Sequence, residues 1–109
     1  MANTFKLKTK ANVGVTTVGI YHAHASTTTV VIGITLSNTS GSGVNVGVGI
    51  TRAGTTEDVK LLKNAPIPQG SSLEFMGGNK VVLETNDQIN IDSDTNNSVD
   101  AALTIMEIT

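Results

Sequence analysis

Two alternating runs flank a polar cluster near the middle of the chain: VVIGITL at positions 30–36, SNTSGSG at positions 37–43 and VNVGVGI at positions 44–50. Side chains alternate between the two faces of a β-strand, so each run places its aliphatic residues mainly on one face. A Ser, Asn and Gly cluster between two such runs is typical of a flexible hairpin tip. Val31, Gly33 and Thr35 are then expected on the opposite face, which suits either solvent or the close approach of another backbone. The stretch predicts a β-hairpin with eight core residues: Val30, Ile32, Ile34, Leu36, Val44, Val46, Val48 and Ile50.

Length and composition limit the classes of protein to which the chain can belong. A chain of 109 residues suits one domain, and folding at this size buries about two-thirds of the surface of the unfolded chain. Cysteine is absent and aromatic residues make up only 3%, so disulfides and thiolate metal sites are excluded. Stability is expected from aliphatic burial and from oligomerisation.

Charge and hydropathy argue against nucleic acid and membrane as partners. The formal net charge is −2, with charged residues at 15% of the chain, which leaves no basic patch for a phosphate backbone. The N-terminus lacks the apolar segment of a signal peptide, and no run approaches the roughly 20 apolar residues that span a bilayer.

Further strand patterns occur along the whole chain between turns rich in Gly, Pro and Asn. The Gly77-Gly78-Asn79 segment is expected to reverse the chain, so that residues 80–84 pair with residues 71–76. About 7–8 short strands with almost no helix predict an all-β fold, a single antiparallel, jelly-roll-like β-sandwich over residues 13–109.

Residues 1–12 allow two interpretations. Phe5 and Leu7 alternate with Lys6 and Lys8. The lysines suit an edge strand that discourages further pairing, whereas the apolar pair suits an arm that docks on a neighbouring subunit.

The last strand covers residues 98–108, and its C-terminal half is apolar on both faces. Leu103 and Ile105 are expected to fill the core together with Val99 and Ala101, which leaves the opposite face to be buried by a partner subunit. The sequence therefore predicts a homo-oligomer, with a trimer favoured. The candidate contacts with other copies or with other protein subunits are Phe5, Leu7, Met106 and Ile108.

No set of residues in the sequence indicates catalysis. There is no G-x-S-x-G motif and no phosphate-binding glycine loop before a helix. His22 and His24 could present two imidazoles to one metal, yet no third ligand is nearby, and only a site shared between subunits on a symmetry axis stays open. Residues 92–97 resemble a calcium loop only at their start. We expect neither enzyme activity, nor a cofactor, nor a metal site.

Carboxylates and Asx residues elsewhere are expected to be hydrated surface. Glu74 and Glu84 could face each other across the predicted Gly77-Gly78 hairpin, and residues 92–97 are best interpreted as a solvated Asx-rich turn.

Five segments together resemble a known family. They are MANTFK at positions 1–6, VIGITLSNTS at 31–40, LKNAPIPQGSSL at 62–73, GNKVVLETND at 78–87 and SVDAALTIMEIT at 98–109. In this order they look like small virion structural proteins of tailed bacteriophages, including cyanophages. The stretch YHAHA at positions 21–25 departs from that family's usual Tyr-x-x-Pro turn, so the resemblance assigns no role to the histidines.

The resemblance implies a β-sandwich that acts by binding on the virion, after synthesis in the host cytoplasm. A capsid decoration (cement) protein bound to the major capsid protein or to other virion subunits is the favoured function, and a tail, neck or baseplate component is the alternative. A carbohydrate-binding module is a remote alternative, because sugar-binding faces normally carry exposed Trp or Tyr and this chain has no Trp and one Tyr.

Overall fold

The computed structural model describes residues 3–53, 57–75 and 80–109, and these residues form nine strands and no helix. Sheet A has the strand order β1-β9-β3-β6, with β7 also paired to β3, and sheet B has the order β2-β8-β4-β5. The predicted antiparallel β-sandwich is confirmed. In these ranges no helix is long and apolar enough to cross a membrane. The strands are β1 (Asn3–Val13), β2 (Val18–His22), β3 (Thr28–Asn38), β4 (Val44–Thr51), β5 (Asp58–Ile67), β6 (Ser72–Phe75), β7 (Val81–Leu83), β8 (Gln88–Ser93) and β9 (Val99–Ile108).

Strands β6 and β7 lie one after the other along the same edge of β3. Strand β6 pairs with residues 34–37 and β7 with residues 29–31, both antiparallel to β3. Counted as one interrupted strand, they give four strands in each sheet, in the order of a jelly roll. The predicted pairing of residues 71–76 with 80–84 is therefore wrong, because both segments pair with β3. The turn proposed at Gly77-Gly78-Asn79 lies outside the described residues.

The two alternating runs, residues 30–36 and 44–50, belong to different sheets, so the predicted hairpin is also wrong. Strand β3 pairs within sheet A and β4 within sheet B, and residues 39–43 cross from one sheet to the other. Buried Asn38 fixes this crossing: its Nδ2 donates to the carbonyl oxygens of Ser42 and Ile67 at 2.8 and 2.9 Å. Its Oδ1 accepts from the backbone amide and the hydroxyl of Ser40.

A β-bulge at Ile32 changes which residues of β3 face the core. The register with β9 shifts between Val31 and Gly33, so one extra residue lies in β3. An extra residue reverses the alternation of faces. Val31 is fully buried, whereas Val30 and Ile32 are only partly buried. The predicted inward placement of Val30 and Ile32 is therefore wrong. The other six residues predicted for the core are buried, so their inward placement is confirmed.

The core lies between the sheets and consists mostly of Val and Ile, the residue types that favour strands. The expected inward face of β9 is confirmed. Residues 88–92 also alternate between apolar and polar, and this pattern places Ile89 and Ile91 of β8 in the core. Strand β5 tolerates Pro66 because it is an edge strand of sheet B. The buried apolar residues are Val13, Tyr21, Ala23, Val31, Ile34, Leu36, Val44, Val46, Val48, Ile50, Ile67, Leu83, Ile89, Ile91, Val99, Ala101, Leu103 and Ile105.

Candidate functional site

The outer face of sheet A, the side turned away from sheet B, carries a row of apolar side chains across four strands. Phe5 of β1 lies opposite Met106 of β9, Met106 lies opposite Val30 of β3, and Val30 lies opposite Val82 of β7. We call these four residues the apolar row. Directly opposed side chains on one face of a sheet contact each other, so the row forms a continuous apolar strip.

Leu7 and Ile108 extend this strip on either side of the row. Leu7 lies opposite Thr104, two residues along β9 from Met106, and Ile108 lies opposite Asn3 and Thr28. Phe5 is 69% exposed, Leu7 64% and Val82 55%, whereas Met106 and Ile108 are partly buried. The structure thus brings the four candidate contact residues onto one face, although the sequence suggested two separate attachments, the arm and the last strand.

Three residues of this face were not recognised from the sequence: Val30, Ile32 and Val82. Val30 and Ile32 were assigned to the core, and the bulge places them outside. Ile32 lines an open depression of about 370 Å³ together with Thr35, Ala102 and Thr104. The sequence did contain a signal for an apolar outer face of β3. The run Val30-Val31-Ile32 has no polar residue, so it is apolar on both faces.

The outer face of sheet B has the opposite chemistry. Its central strand β8 presents Gln88 and Asn90, which are linked to β4 and β5 by a chain of hydrogen bonds. Gln88 Nε2 donates to Asn90 Oδ1 at 2.8 Å, Asn90 Nδ2 donates to Thr51 Oγ1 at 2.7 Å, and Thr51 Oγ1 donates to Asp58 Oδ1 at 2.9 Å. These four side chains hydrogen-bond one another and form a polar surface, so the outer face of sheet B suits contact with water. The sandwich is therefore two-sided, with one apolar and one polar outer face.

The two sheets are joined at one end by a buried ionic cluster around Glu107, which is 5% exposed. Its carboxylate lies 2.8 Å from Lys6 Nζ and accepts a hydrogen bond of 2.5 Å from the hydroxyl of Tyr21 in β2. The hydrogen bonds from Lys6 and Tyr21 hold the pKa of Glu107 below its ordinary value, against the effect of burial. Burial and the bond to Glu107 raise the pKa of Tyr21 to about 12. The cluster was not recognised from the sequence, because Glu107 is an isolated acid in an apolar strand.

The histidines lie at the surface. His22 ends β2 and His24 follows it, both exposed, with Ala23 buried between them. The rings of His24 and Tyr21 form a T-shaped pair, with an interplanar angle of 84° and centroids 6.4 Å apart. Over the described ranges, no three His, Cys, Asp or Glu side chains lie close enough together to hold a metal ion.

The remaining acidic candidates, Glu74 and Glu84, lie at the surface. Glu74 lies opposite Thr35, and Glu84 is 3.4 Å from the guanidinium of Arg52. Because β6 and β7 do not pair with each other, the two glutamates do not face each other across a hairpin.

The polar turn at residues 92–97 fastens neighbouring segments to β8. Asp92 Oδ2 accepts from Thr17 Oγ1 at 2.9 Å, and Asp94 Oδ1 accepts from the amide of Asn45 at 3.1 Å. These carboxylates thus hold β4 and the segment before β2 in place, a role beyond the solvated turn that was expected.

Comparison with known proteins identifies solved structures of similar fold but assigns the chain to no family. No protein-family model matches the chain, and no curated protein matches it.

Solved structures with a similar fold come from a spore pilus and from virus particles. One is from Bacillus endospore appendages, described as disulfide-linked pili, with a TM-score of 0.59 and 14% identity, covering 99% of this chain and 87% of that chain. Another is a mutant VP2 protein of infectious bursal disease virus in T=1 particles, with a TM-score of 0.62 and 15% identity, covering 96% of this chain and 31% of that chain. A third is from the T13 particle of the same virus, with a TM-score of 0.60 and 14% identity, covering 96% and 30%. This chain spans about a third of the length of the viral proteins, and at these identities the likeness is one of fold.

Proposed function

We propose that this chain is a virion structural protein of a tailed bacteriophage, which decorates the capsid and stabilises it by adhesion. The observation that carries the proposal is the outer face of sheet A, where the apolar row crosses four strands with Phe5 and Val82 exposed at its ends and Met106 and Val30 partly buried between them. A jelly roll with one apolar and one polar outer face can attach to a surface on one side and meet water on the other. The fold likeness to proteins of virus particles and the resemblance of the five sequence segments support a place on a virion, after synthesis in the host cytoplasm.

The proposed assembly is a homo-oligomer, with a trimer favoured, bound to the major capsid protein or to other virion subunits. Burying a large apolar side chain contributes about 1.5–3 kcal/mol, so the exposed Phe5, Leu7 and Val82 suffice for a weak contact per copy. Many copies on a closed shell act together, so weak contacts add up to stable attachment. A trimer can match the three-fold axes of an icosahedral shell. Disulfide links between subunits, which the pilus is described as having, are excluded here because the chain has no cysteine.

The alternative place is the tail, neck or baseplate. It is favoured by the fold likeness to a pilus subunit, which covers almost the whole of both chains. Adhesion through the outer face of sheet A serves either place. A cryo-EM map of the virion distinguishes them, because it locates the copies of this chain on the head or on the tail.

The experiment that tests this proposal replaces two apolar residues on the outer face of sheet A by aspartate. Met106→Asp with Ile108→Asp leaves the buried face of β9 unchanged, so we expect a folded protein that no longer assembles or decorates virions. The matched control, Val15→Asp with Val59→Asp, makes the same change at two exposed valines outside sheet A and is expected to assemble normally.

The measurements are sedimentation velocity for the oligomer and incorporation into purified virions of the phage that encodes the chain. Circular dichroism establishes that both double variants are folded. A monomeric wild-type protein, together with normal incorporation of the Met106 and Ile108 double variant, would contradict the proposal.

A further inference from the structure

Strand β1 is attached to the sandwich by pairing and charge, and hardly by apolar burial. It runs for 11 residues along the edge of sheet A and pairs with β9 alone. Of its side chains only Val13, at its end, is buried, and only Lys8 is partly buried. Hydrophobic burial is the main term that holds strands in a core, so residues 3–12 can leave the edge of β9 at little cost in apolar surface.

Two lysines of β1 interact with buried side chains of the sandwich beside the edge of β9. Lys6 lies opposite Ile105 and Lys8 opposite Leu103, and both of these β9 side chains point into the sandwich. The two lysines therefore point towards sheet B. There Lys6 reaches the buried carboxylate of Glu107, and the Nζ of Lys8 lies 6.0 Å from the centre of the Tyr21 ring. Without Lys6, the carboxylate of Glu107 would lose a cationic partner while it stays buried, a costly arrangement.

The chain has a pivot where β1 ends. Asn12 has a φ of 59°, in the left-handed region, and the register with β9 shifts between Lys10 and Val13. Val13 is anchored beyond the pivot, because it is buried and its carbonyl oxygen accepts from the amide of Ser98 at 3.0 Å. Residues 3–12 can therefore swing as a unit while the rest of the sandwich stays closed.

We propose that β1 is an exchanged strand: in the assembled protein, residues 3–12 of one copy pair with β9 of a second copy, and Lys6 binds the Glu107 of that copy. The occupant is a second copy because the β9 edge is complementary in charge and register to this segment. Every contact that β1 makes within one chain is reproduced between two chains, which is why strand exchange is a low-cost route to oligomers. This inference rests on the homo-oligomer of the proposed function and adds the element that links the copies.

The test uses disulfide formation, for which the absence of cysteine leaves no background. Leu7 and Thr104 lie opposite each other on the exposed face of sheet A, at the spacing that a disulfide spans. One chain carries Leu7→Cys and the other Thr104→Cys, and the two are mixed, allowed to assemble and oxidised. Strand exchange places the two cysteines of different chains side by side, so a disulfide-linked heterodimer is expected on a denaturing gel and by mass spectrometry.

The matched control uses a cross-strand pair inside the same sheet. Thr35 of β3 lies opposite Ala102 of β9, and this pair cannot separate without opening the sandwich. A mixture of Thr35→Cys and Ala102→Cys chains is therefore expected to give no heterodimer. Adding Lys6→Glu to the Leu7→Cys chain should reduce the heterodimer, because the new acid meets Glu107, whereas adding Lys10→Glu should leave it unchanged.

The outcomes separate this inference from the proposed function. A sedimenting oligomer that gives no heterodimer in the Leu7 and Thr104 mixture, or that gives as much in the control mixture, overturns strand exchange and leaves adhesion through the outer face of sheet A intact. A heterodimer from protein that does not decorate virions supports exchange and counts against the proposed function. Protein that stays monomeric at all concentrations overturns the exchange.

Discussion

Tyr21 of sheet B donates a hydrogen bond of 2.5 Å to Glu107 of sheet A, and both side chains are buried. Thr29 Oγ1 lies 2.8 Å from the same hydroxyl. This contact links the two layers by a polar bond at the point where β1 adds Lys6. Glu107 therefore bonds to sheet B through Tyr21 and, independently, to the edge strand β1 through Lys6.

The titration of Tyr21 tests this link. Burial and the bond to Glu107 raise its pKa to about 12, above the ordinary value of about 10. Tyr21 is the single tyrosine and the chain has no tryptophan, so ultraviolet absorbance reports its ionisation directly. Glu107→Gln should lower the midpoint, because it removes the acceptor's charge, and Glu74→Gln at the surface should not. Equal midpoints in the wild type and Glu107→Gln would refute the link.

The same shift has a consequence for stability in alkali. A pKa raised in the folded state means that the fold favours the protonated phenol. Its contribution to stability is fully present below pH about 10 and is lost as the pH rises towards about 12. Thermal melts over this range should therefore fall more steeply for the wild type than for Tyr21→Phe.

Two adjacent valines of β3 test the bulge at Ile32. Val31→Asp should prevent folding, because an unpaired buried charge costs several kcal/mol against a total stability of about 5–15 kcal/mol. Val30→Asp, on the outer face, should fold with a small loss of melting temperature. Circular dichroism and thermal melts of the two variants provide the comparison. A soluble, folded Val31→Asp protein would mean that β3 has the register predicted from simple alternation.

The crossing between the sheets depends on Asn38 as both donor and acceptor. Asn38→Asp keeps the shape but places an oxygen against the carbonyl oxygens of Ser42 and Ile67, so it should cost more than Asn38→Ala. We expect a loss of about 1–3 kcal/mol for Asn38→Ala, the typical penalty for leaving a buried polar group unpaired. Asn45→Ala, at an exposed side chain of β4, serves as the control. Urea unfolding gives all three values, and losses for Asn38→Ala as small as for Asn45→Ala would contradict this role.

Asp87 should contribute to stability at neutral pH and lose that contribution in acid. Burial alone would raise its pKa, but the amides of Ala53 and Glu84 and the guanidinium of Arg52 outweigh burial and hold the pKa below its ordinary value. A lowered pKa stabilises the fold above pH about 3.9, and the effect is lost as the pH falls below that value. Asp87→Asn should therefore lower the melting temperature at pH 7, and the difference from the wild type should shrink in acid. A difference that does not change with pH would show that the charge of Asp87 is not involved.

The sequence alone predicts the fold class, the inward faces of β4, β8 and β9, and the apolar character of Phe5, Leu7, Met106 and Ile108. These features depend on local alternation, which a strand's own residues specify. It also indicated a surface for binding, since the C-terminal half of the last strand is apolar on both faces.

The pairing of the strands and the alignment of their faces depend on long-range contacts in the folded chain. Residues 30–36 and 44–50 alternate equally well in a hairpin and in a crossing between sheets, so alternation alone cannot choose between them. The bulge at Ile32 reverses the faces of β3, and a single extra residue leaves no local sign in an apolar run. The apolar row of Phe5, Met106, Val30 and Val82 therefore exists only because long-range pairing aligns four separate strands, and Glu107 meets Lys6 and Tyr21 for the same reason.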